Sequence, residues 1–445
     1  MENERGSNLS EQLISHRSLA QSRSLCYAAA AGLFVCGWLL WSAGRMGISH
    51  LLSNYALRAG LLIAADRAAT FSPSDPAARR ARATVLLSAG EYAAAASEFE
   101  RAVALRPRDY VLWLELGQAR DQAGEIEGAI AAFKEATRLA PYYAQPRWQL
   151  GNTLLRAGRY DEAFAELRRA SASNPALLPN LIDLAYGLYN GNVGAIEQAV
   201  QSQTPTARLW LARICARNGK ADEALRLFRA AGPIPDHERQ ALMAELLSAK
   251  RFPEAYEVWA SGRRESNRAV LRKSPHEEPN EGRGPITDGG FEDEIETDTS
   301  GFGWQIWRAP QVISVSLNAH QPHNGSRSLL IEWSGDLQPS TPVVSQLIMV
   351  EPKTRYRLRF WARAEELVTG GPPTVTVSDP GGERLFGQSA PLSQATSGWS
   401  QYSAEFETTA ETRTALIAVR RQGCGAAPCP IFGRAWFDDF TLNGL

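Results

Sequence analysis

The segment Gly90-Glu-Tyr-Ala-Ala-Ala-Ala-Ser-Glu-Phe-Glu-Arg-Ala-Val-Ala-Leu-Arg-Pro107 begins at a turn residue, continues in an Ala-rich helical pattern and stops at a proline. Its landmarks return downstream at a spacing of 34: Gly90, Gly124 and Gly158; Tyr92, Ile126 and Tyr160; Ala95, Ala129 and Ala163; Pro107, Pro141 and Pro175. A fixed period of this length marks stacked supersecondary units. The glycine permits a tight turn between antiparallel helices, the alanine lets them approach closely, and the proline ends the second helix. Each unit is therefore a helical hairpin.

Trp113, Leu116 and Gly117 in the second unit, and Leu150 and Gly151 in the third, complete a pattern that resembles the tetratricopeptide repeat family over residues 76–177. Ala68 and Pro73 fit the end of an earlier unit. Residues 178–204 are degenerate, with Asn190-Gly-Asn-Val-Gly194 at the turn, and the register returns at Gly219, Ala224 and Phe228, then at Phe252, Ala255 and Trp259. About five to six units make an all-α solenoid over residues 45–262. The resemblance implies a groove for a protein partner, with Arg80, Leu114, Gln118, Asp121, Gln145, Trp148 and Asn152 on its faces. Trp148 lies one residue past the position where the family buries an aromatic. It either offers its ring to the partner or packs between hairpins. Arg79-Arg80-Ala-Arg82 and Arg168-Arg169 read as solvated helix faces.

Upstream of the repeats, residues Ser24 to Gly44 form a run of 21 without charge, about 31 Å long as a helix. That length spans a bilayer, and Tyr27, Trp38 and Trp41 stand near its ends, where amphipathic rings favour the headgroup region. The alternatives are a buried soluble helix and a cleaved signal peptide, for which Ser42 and Gly44 offer small residues. The expected arrangement is a cytoplasmic tail (1–23), a signal-anchor helix (24–44) and the remainder outside the cytoplasmic membrane. Arg5, Arg17 and Arg23 before the span, against Arg45 and Arg58 after it, favour that orientation. So does Cys424-Gly-Ala-Ala-Pro-Cys429, a pair able to close a disulfide loop in an oxidising compartment.

Composition excludes other classes. The chain has 445 residues, 47 Lys plus Arg against 48 Asp plus Glu, and a net charge of −1, so no positive excess drives binding to nucleic acid. Five Cys and six His are too few for a zinc-ribbon or disulfide-dense scaffold, and 44% hydrophobic content is that of globular domains.

Residues 263–285 are polar and rich in Pro, Gly and charge, the composition of a flexible linker. Beyond it, Val312–Leu317, Ser328–Trp333, Tyr356–Trp361, Thr374–Ser378, Tyr402–Glu407, Ala415–Val419 and Ala435–Leu442 read as strands. Seven or eight strands over residues 286–445 imply an all-β sandwich. Asp288-Gly-Gly-Phe-Glu292 opens this region, Gly303-Trp304 follows, Asn324-Gly-Ser-Arg-Ser-Leu329 and Tyr356-Arg-Leu-Arg-Phe-Trp-Ala-Arg363 form its middle, and Trp436-Phe-Asp-Asp-Phe-Thr-Leu442 closes it.

That order resembles the galactose-binding-like jelly rolls of carbohydrate-binding modules, families 4 and 9. The resemblance implies that the first and last strands meet and that Glu292 with Asp438 or Asp439 supports a structural calcium, or else caps strand ends. No other cofactor is implied. Sugar binding needs a flat apolar surface and planar polar groups. Trp304 and Trp307, with Gln305 and Arg308, are the candidates, while Trp361 and Trp436 fall in strands expected to face the core. His320-Gln-Pro-His323 contains Pro322 in a loop, so it is no helical metal pair. No nucleophile elbow, phosphate loop or Cys/His dyad is present. The expectation is a non-enzymatic, membrane-anchored adaptor that holds a protein through the solenoid and a glycan through the sandwich, in bacterial surface polysaccharide assembly, export or degradation. The alternative is an assembly scaffold whose sandwich binds protein.

Overall fold

The computed structural model describes residues 3–201, 203–273, 285–295, 301–306, 311–381, 384–425 and 428–445. The chain forms two units, Met1–Leu188 with Gln198–Val200, and Tyr189–Glu197 with Gln201–Leu445.

The first unit begins with α1 (Asn3–Ala59), whose residues Ala31–Ala59 are long and apolar enough to cross a membrane. Leu33, Phe34, Leu40 and Trp41 on it are at least two-thirds exposed, so this stretch is no buried core helix. The same helix runs on past Gly44 into the helical array. Ser49 and Ala56 are fully buried, and Ser49 Oγ donates to Ala68 O at 3.0 Å on α2 (Leu62–Phe71). Three hairpins follow: α3 (Pro76–Ser88) with α4 (Tyr92–Leu105), α5 (Tyr110–Gln122) with α6 (Ile126–Leu139), and α7 (Ala144–Arg156) with α8 (Tyr160–Ser173).

Their turns fall at Gly90, Gly124 and Gly158, with φ of +82°, +81° and +74°, a backbone state that glycine adopts without a Cβ penalty. Close approach explains Gly117: a methyl group there would lie 2.5 Å from Phe133 Cε1. Asp75 and Asp109 cap α3 and α5 by accepting from Ala77 N and Val111 N. Between hairpin helices the buried carboxylate of Glu98, 3% exposed, is held by Arg79, Arg82 and Arg101, so its charge is paired rather than stranded. α9 (Leu178–Leu188) ends the unit.

The second unit contains most of α10 (Val193–Val200), then α11 (Pro205–Arg217), α12 (Ala221–Ala231), α13 (Asp236–Ser248) and α14 (Phe252–Lys273). α14 continues past residue 262 to Lys273, so the first residues of the expected linker are helical. Residues 274–284 of the expected linker lie outside the described residues.

Ten strands then form a sandwich of two antiparallel sheets. The strands are β1 (Gln305–Ile306), β2 (Ile313–Asn318), β3 (Ser328–Asp336), β4 (Val344–Met349), β5 (Arg355–Thr369), β6 (Pro373–Ser378), β7 (Leu385–Gln388), β8 (Ser400–Glu407), β9 (Thr414–Arg421) and β10 (Pro430–Gly444). The sheet orders are β1-β4-β9-β6-β7 and β2-β3-β10-β5-β8. Three strands, β1, β4 and β7, exceed the seven expected by name. The core lies between the sheets, with Phe291, Phe360, Phe437, Ile331 and Ile417 fully buried, each such side chain contributing about 1.5–3 kcal/mol. The first segment meets the last strand as anticipated: Phe440 N donates to Gly289 O at 2.8 Å.

The sandwich also packs on the last helix of its unit. Phe302, 1% exposed, places its ring 5.1 Å from that of Tyr256 and 5.8 Å from that of Trp259 on α14.

Candidate functional site

The expected groove residues differ in their availability. Arg80 donates through Nε to Glu115 Oε2 at 2.7 Å, and Asp121 pairs with Arg156, so two of the seven tie neighbouring hairpins together. Leu114 is 5% exposed and packs with Phe133, Ile130 and Leu150; it is a core residue, corrected from a groove position. Gln145 is exposed, and Gln118, Trp148 and Asn152 are partly exposed.

In the sandwich, Trp304 is corrected from ligand platform to core. It is 5% exposed, its ring lies 5.0 Å from Phe291 and 5.1 Å from Phe440, and its Nε1 donates to Asp288 O at 2.9 Å. The pairing of Gly289 with Phe440 brings these three rings together. Gln305 is part of β1, opposite Ser345 of β4. Trp307 and Arg308 lie outside the described residues.

The aromatic surface lies instead on the outer face of the β2-β3-β10-β5-β8 sheet. Along β5, Tyr356, Leu358, Phe360, Ala362 and Ala364 are buried, so the alternate residues Arg355, Arg357, Arg359, Trp361, Arg363 and Glu365 face outward. Trp361, expected in the core, therefore stands between Arg359 and Arg363 on the outer face. Trp436 of β10 is Arg363's register partner and shares that face.

Residues 320–327 cross this surface. The imidazole of His323 stacks on Trp361, centroids 4.0 Å apart at 17°, and Trp399 stands edge-on to it at 5.7 Å. Trp399 Nε1 donates to Gln321 O at 3.1 Å. Arg363 donates to Gln321 Oε1 at 3.3 Å and to His320 O at 3.2 Å, and lies 4.1 Å over the ring of Trp436. Three indoles, an imidazole and a guanidinium thus meet on one face.

The three carboxylates proposed for calcium hold this segment in place. Asp438 Oδ2 accepts from His323 N at 2.9 Å and Asn324 N at 3.3 Å, and Oδ1 accepts from Asp439 N at 2.8 Å. Asp439 Oδ2 lies 2.6 Å from His323 Nδ1. Glu292 accepts from Ser326 N at 2.8 Å, from Ser326 Oγ and from Arg327 N. A Cβ at residue 325 would lie 2.0 Å from Glu292 Oε1, so only glycine, here at φ +66°, passes beside it. Among the described residues no group of three or more His, Cys, Asp or Glu is placed to hold a metal. Around a Cβ position at Gly290, Asp438 Oδ1 and Asp439 Oδ1 each lie 3.9 Å away. Burial pushes Asp438 up to about 6, against the backbone N–H bonds that favour its ionised form.

At the far end of the sandwich Cys424 and Cys429 form a disulfide, with Cα atoms 5.9 Å apart. Arg421, 5% exposed, supports the loop by donating to the carbonyls of Leu337 and Cys429 at 2.7 Å each.

Sequence reasoning missed the outer-face cluster. The signal was present in β5, where Trp361 occupies the same parity as four arginines.

Comparison with known proteins agrees with this division. A carbohydrate binding domain model (CBM_4_9) matches residues 285–426. Tetratricopeptide repeat models match residues 56–110, 80–144 and 193–238, and 122–181. Both are non-catalytic kinds. No curated protein matches the chain. Similar solved structures include MamA from Desulfovibrio magneticus RS-1, at 15% identity over 42% of this chain and 93% of that one with a TM-score of 0.29. Pseudomonas aeruginosa pilF gives 16% identity over 53% of this chain and 95% of that one, with a TM-score of 0.30. The chain thus carries tetratricopeptide repeats within residues 56–181 and 193–238 and a carbohydrate-binding domain over residues 285–426.

Proposed function

We propose that the protein is a non-enzymatic, membrane-anchored adaptor whose repeats hold a protein partner and whose sandwich binds a glycan, in bacterial surface polysaccharide assembly, export or degradation. The observation that carries the glycan reading is the outer-face cluster of Trp361, Trp399 and His323 with Arg363 beside it. Aromatic faces pair with the C–H side of a pyranose, and fixed planar donors read its hydroxyls. Gln118, Gln145, Trp148 and Asn152 are the groove positions left for a protein partner. Glycan contact is tested by electrophoresis of the detergent-solubilised full chain through gels containing single polysaccharides. The expected result is retardation by at least one of them, weakened about tenfold or more in a Trp361→Ala, Trp399→Ala double variant that still melts cooperatively. Equal mobility of both proteins in every gel would remove the carbohydrate reading.

A further inference from the structure

The charges on the outer face of the β2-β3-β10-β5-β8 sheet are unevenly satisfied. Arg355 and Arg357 share Glu405, at 2.9 and 2.6 Å, and Arg434 pairs with Glu365 at 3.0 Å. The two arginines that flank Trp361 have no carboxylate partner among the described residues. Arg359 is exposed, and its register partners are Ser403 of β8 and Thr441 of β10, both neutral. Arg363 is half-buried and held only by the neutral oxygens of Gln321 and His320.

A guanidinium taken partly out of water with no carboxylate bonded to it is costly: burial lowers the pKa of Arg363, and the charge of Glu365, itself paired with Arg434, offsets that only in part. Two donors beside it are also unmet. Arg363 Nε and the Nε1 of Trp436, a residue 5% exposed, are buried without a hydrogen-bond partner among the described residues. The nearby acidic groups are committed elsewhere: Asp438 to backbone N–H groups and Asp439 to His323. Glu332 lies level with Arg434, and Glu407 level with Arg355, at the two ends of the row. The centre of the face therefore has cations in excess and donors in want of an acceptor.

We infer that the glycan taken by this face is acidic, with a sugar ring against the Trp361 and Trp399 cluster and carboxylate groups on Arg363 and Arg359. The inference rests on the glycan reading above and narrows it to a polymer of uronic-acid type. Arg359 and Arg363 stand four residues apart on one strand, with their Cα atoms about 13 Å apart. A chain with repeated anionic groups can meet both, one on each side of Trp361. Arg363 keeps the second N–H of Nη1 and of Nη2 for a carboxylate, and Trp436, 4.1 Å away, holds the guanidinium in plane.

The test uses the full chain in gels containing polygalacturonate, alginate, dextran or β-glucan. The inference expects retardation by polygalacturonate or alginate that weakens as salt is raised, with dextran and β-glucan at least tenfold weaker. Arg359→Gln should weaken the acidic interaction about tenfold, Arg363→Gln at least as much, and Arg363→Lys less than Arg363→Gln. Arg355→Gln, a residue already neutralised by Glu405, should leave it unchanged. Should Arg363→Gln fail to melt cooperatively, the exposed Arg359→Gln decides. Retardation by dextran or β-glucan alone overturns the acidic assignment and leaves carbohydrate binding standing. No retardation in any gel overturns both. Retardation by polygalacturonate that is indifferent to both arginine substitutions also overturns the assignment.

Discussion

Asp438 has no exposed surface, yet it is the acceptor on which the backbone of His323 and Asn324 hangs. Its pKa of about 6 stands above the usual aspartate value of about 3.9. Between roughly pH 4 and 6 the native chain therefore holds a proton that the unfolded chain has released. The stability contributed by this group falls as pH rises through that window, by on the order of 3 kcal/mol, and is constant above it. Urea denaturation of wild type and Asp438→Asn at pH 4.5, 5.5 and 7 checks this. The variant should gain on wild type as pH rises, and a constant gap would return Asp438 to its ordinary value. Single residues also show where sequence reading stops. Trp304 and Trp361 are both indoles near charged neighbours, but strand parity fixes only Trp361, which stands among arginines. The burial of Trp304 depends on the non-local contact of Gly289 with Phe440.

At the scale of elements, the period of 34 locates the three hairpins that turn at Gly90, Gly124 and Gly158, whereas the α11–α12 turn at Gly219 falls off that spacing. The turn between α13 and α14 instead uses Lys250 at φ +58°, which no glycine count could find. β4 was missed although Val344, Gln346 and Ile348 alternate inward, because Gln346 is a polar residue that the core accepts through its bonds with Thr287. The polar composition that suggested a linker after residue 262 is equally compatible with the helix that runs to Lys273.

The packing on α14 gives the sharpest consequence. Phe302 sits against Tyr256 and Trp259, and a Cβ at Gly301 would lie 2.8 Å from Trp259 Cδ1 and 3.4 Å from Met243 Cε. Arg263 adds a contact with Asp293 at 3.8 Å and covers Trp259. Stacked hairpins need a terminal cap over their last apolar face, and here the sandwich supplies one. Phe302→Ala should cost about 3 kcal/mol of the coupling between the two. Denaturation followed by far-UV dichroism and by tryptophan fluorescence should coincide for wild type and separate for the variant. Coincident, unshifted transitions in the variant would show that the ring couples nothing.

For the molecule as a whole, α1 joins two solvents in one helix. Leu33, Phe34, Trp38, Leu39, Leu40 and Trp41 are exposed, whereas Ser49, Ser53 and Ala56 are buried against the repeats. Water penalises the first set, and no described residue covers it, so a bilayer is the environment that removes the cost. The helix is continuous from Asn3 to Ala59, so under the proposed anchoring the repeats would begin at the membrane surface without an intervening strap. The Arg bias before the span and the Cys424–Cys429 disulfide place the sandwich in the oxidising compartment under the proposed topology. Membranes washed with high salt should retain the chain, and detergent should release it. In intact spheroplasts a protease should remove the sandwich, and a membrane-impermeant maleimide should label Cys424 and Cys429 only after reduction. A salt-released chain would exclude the anchor. A protected sandwich whose two thiols react only after lysis, and then without reductant, would reverse the orientation, and with it the access to a surface glycan on which the adaptor role depends.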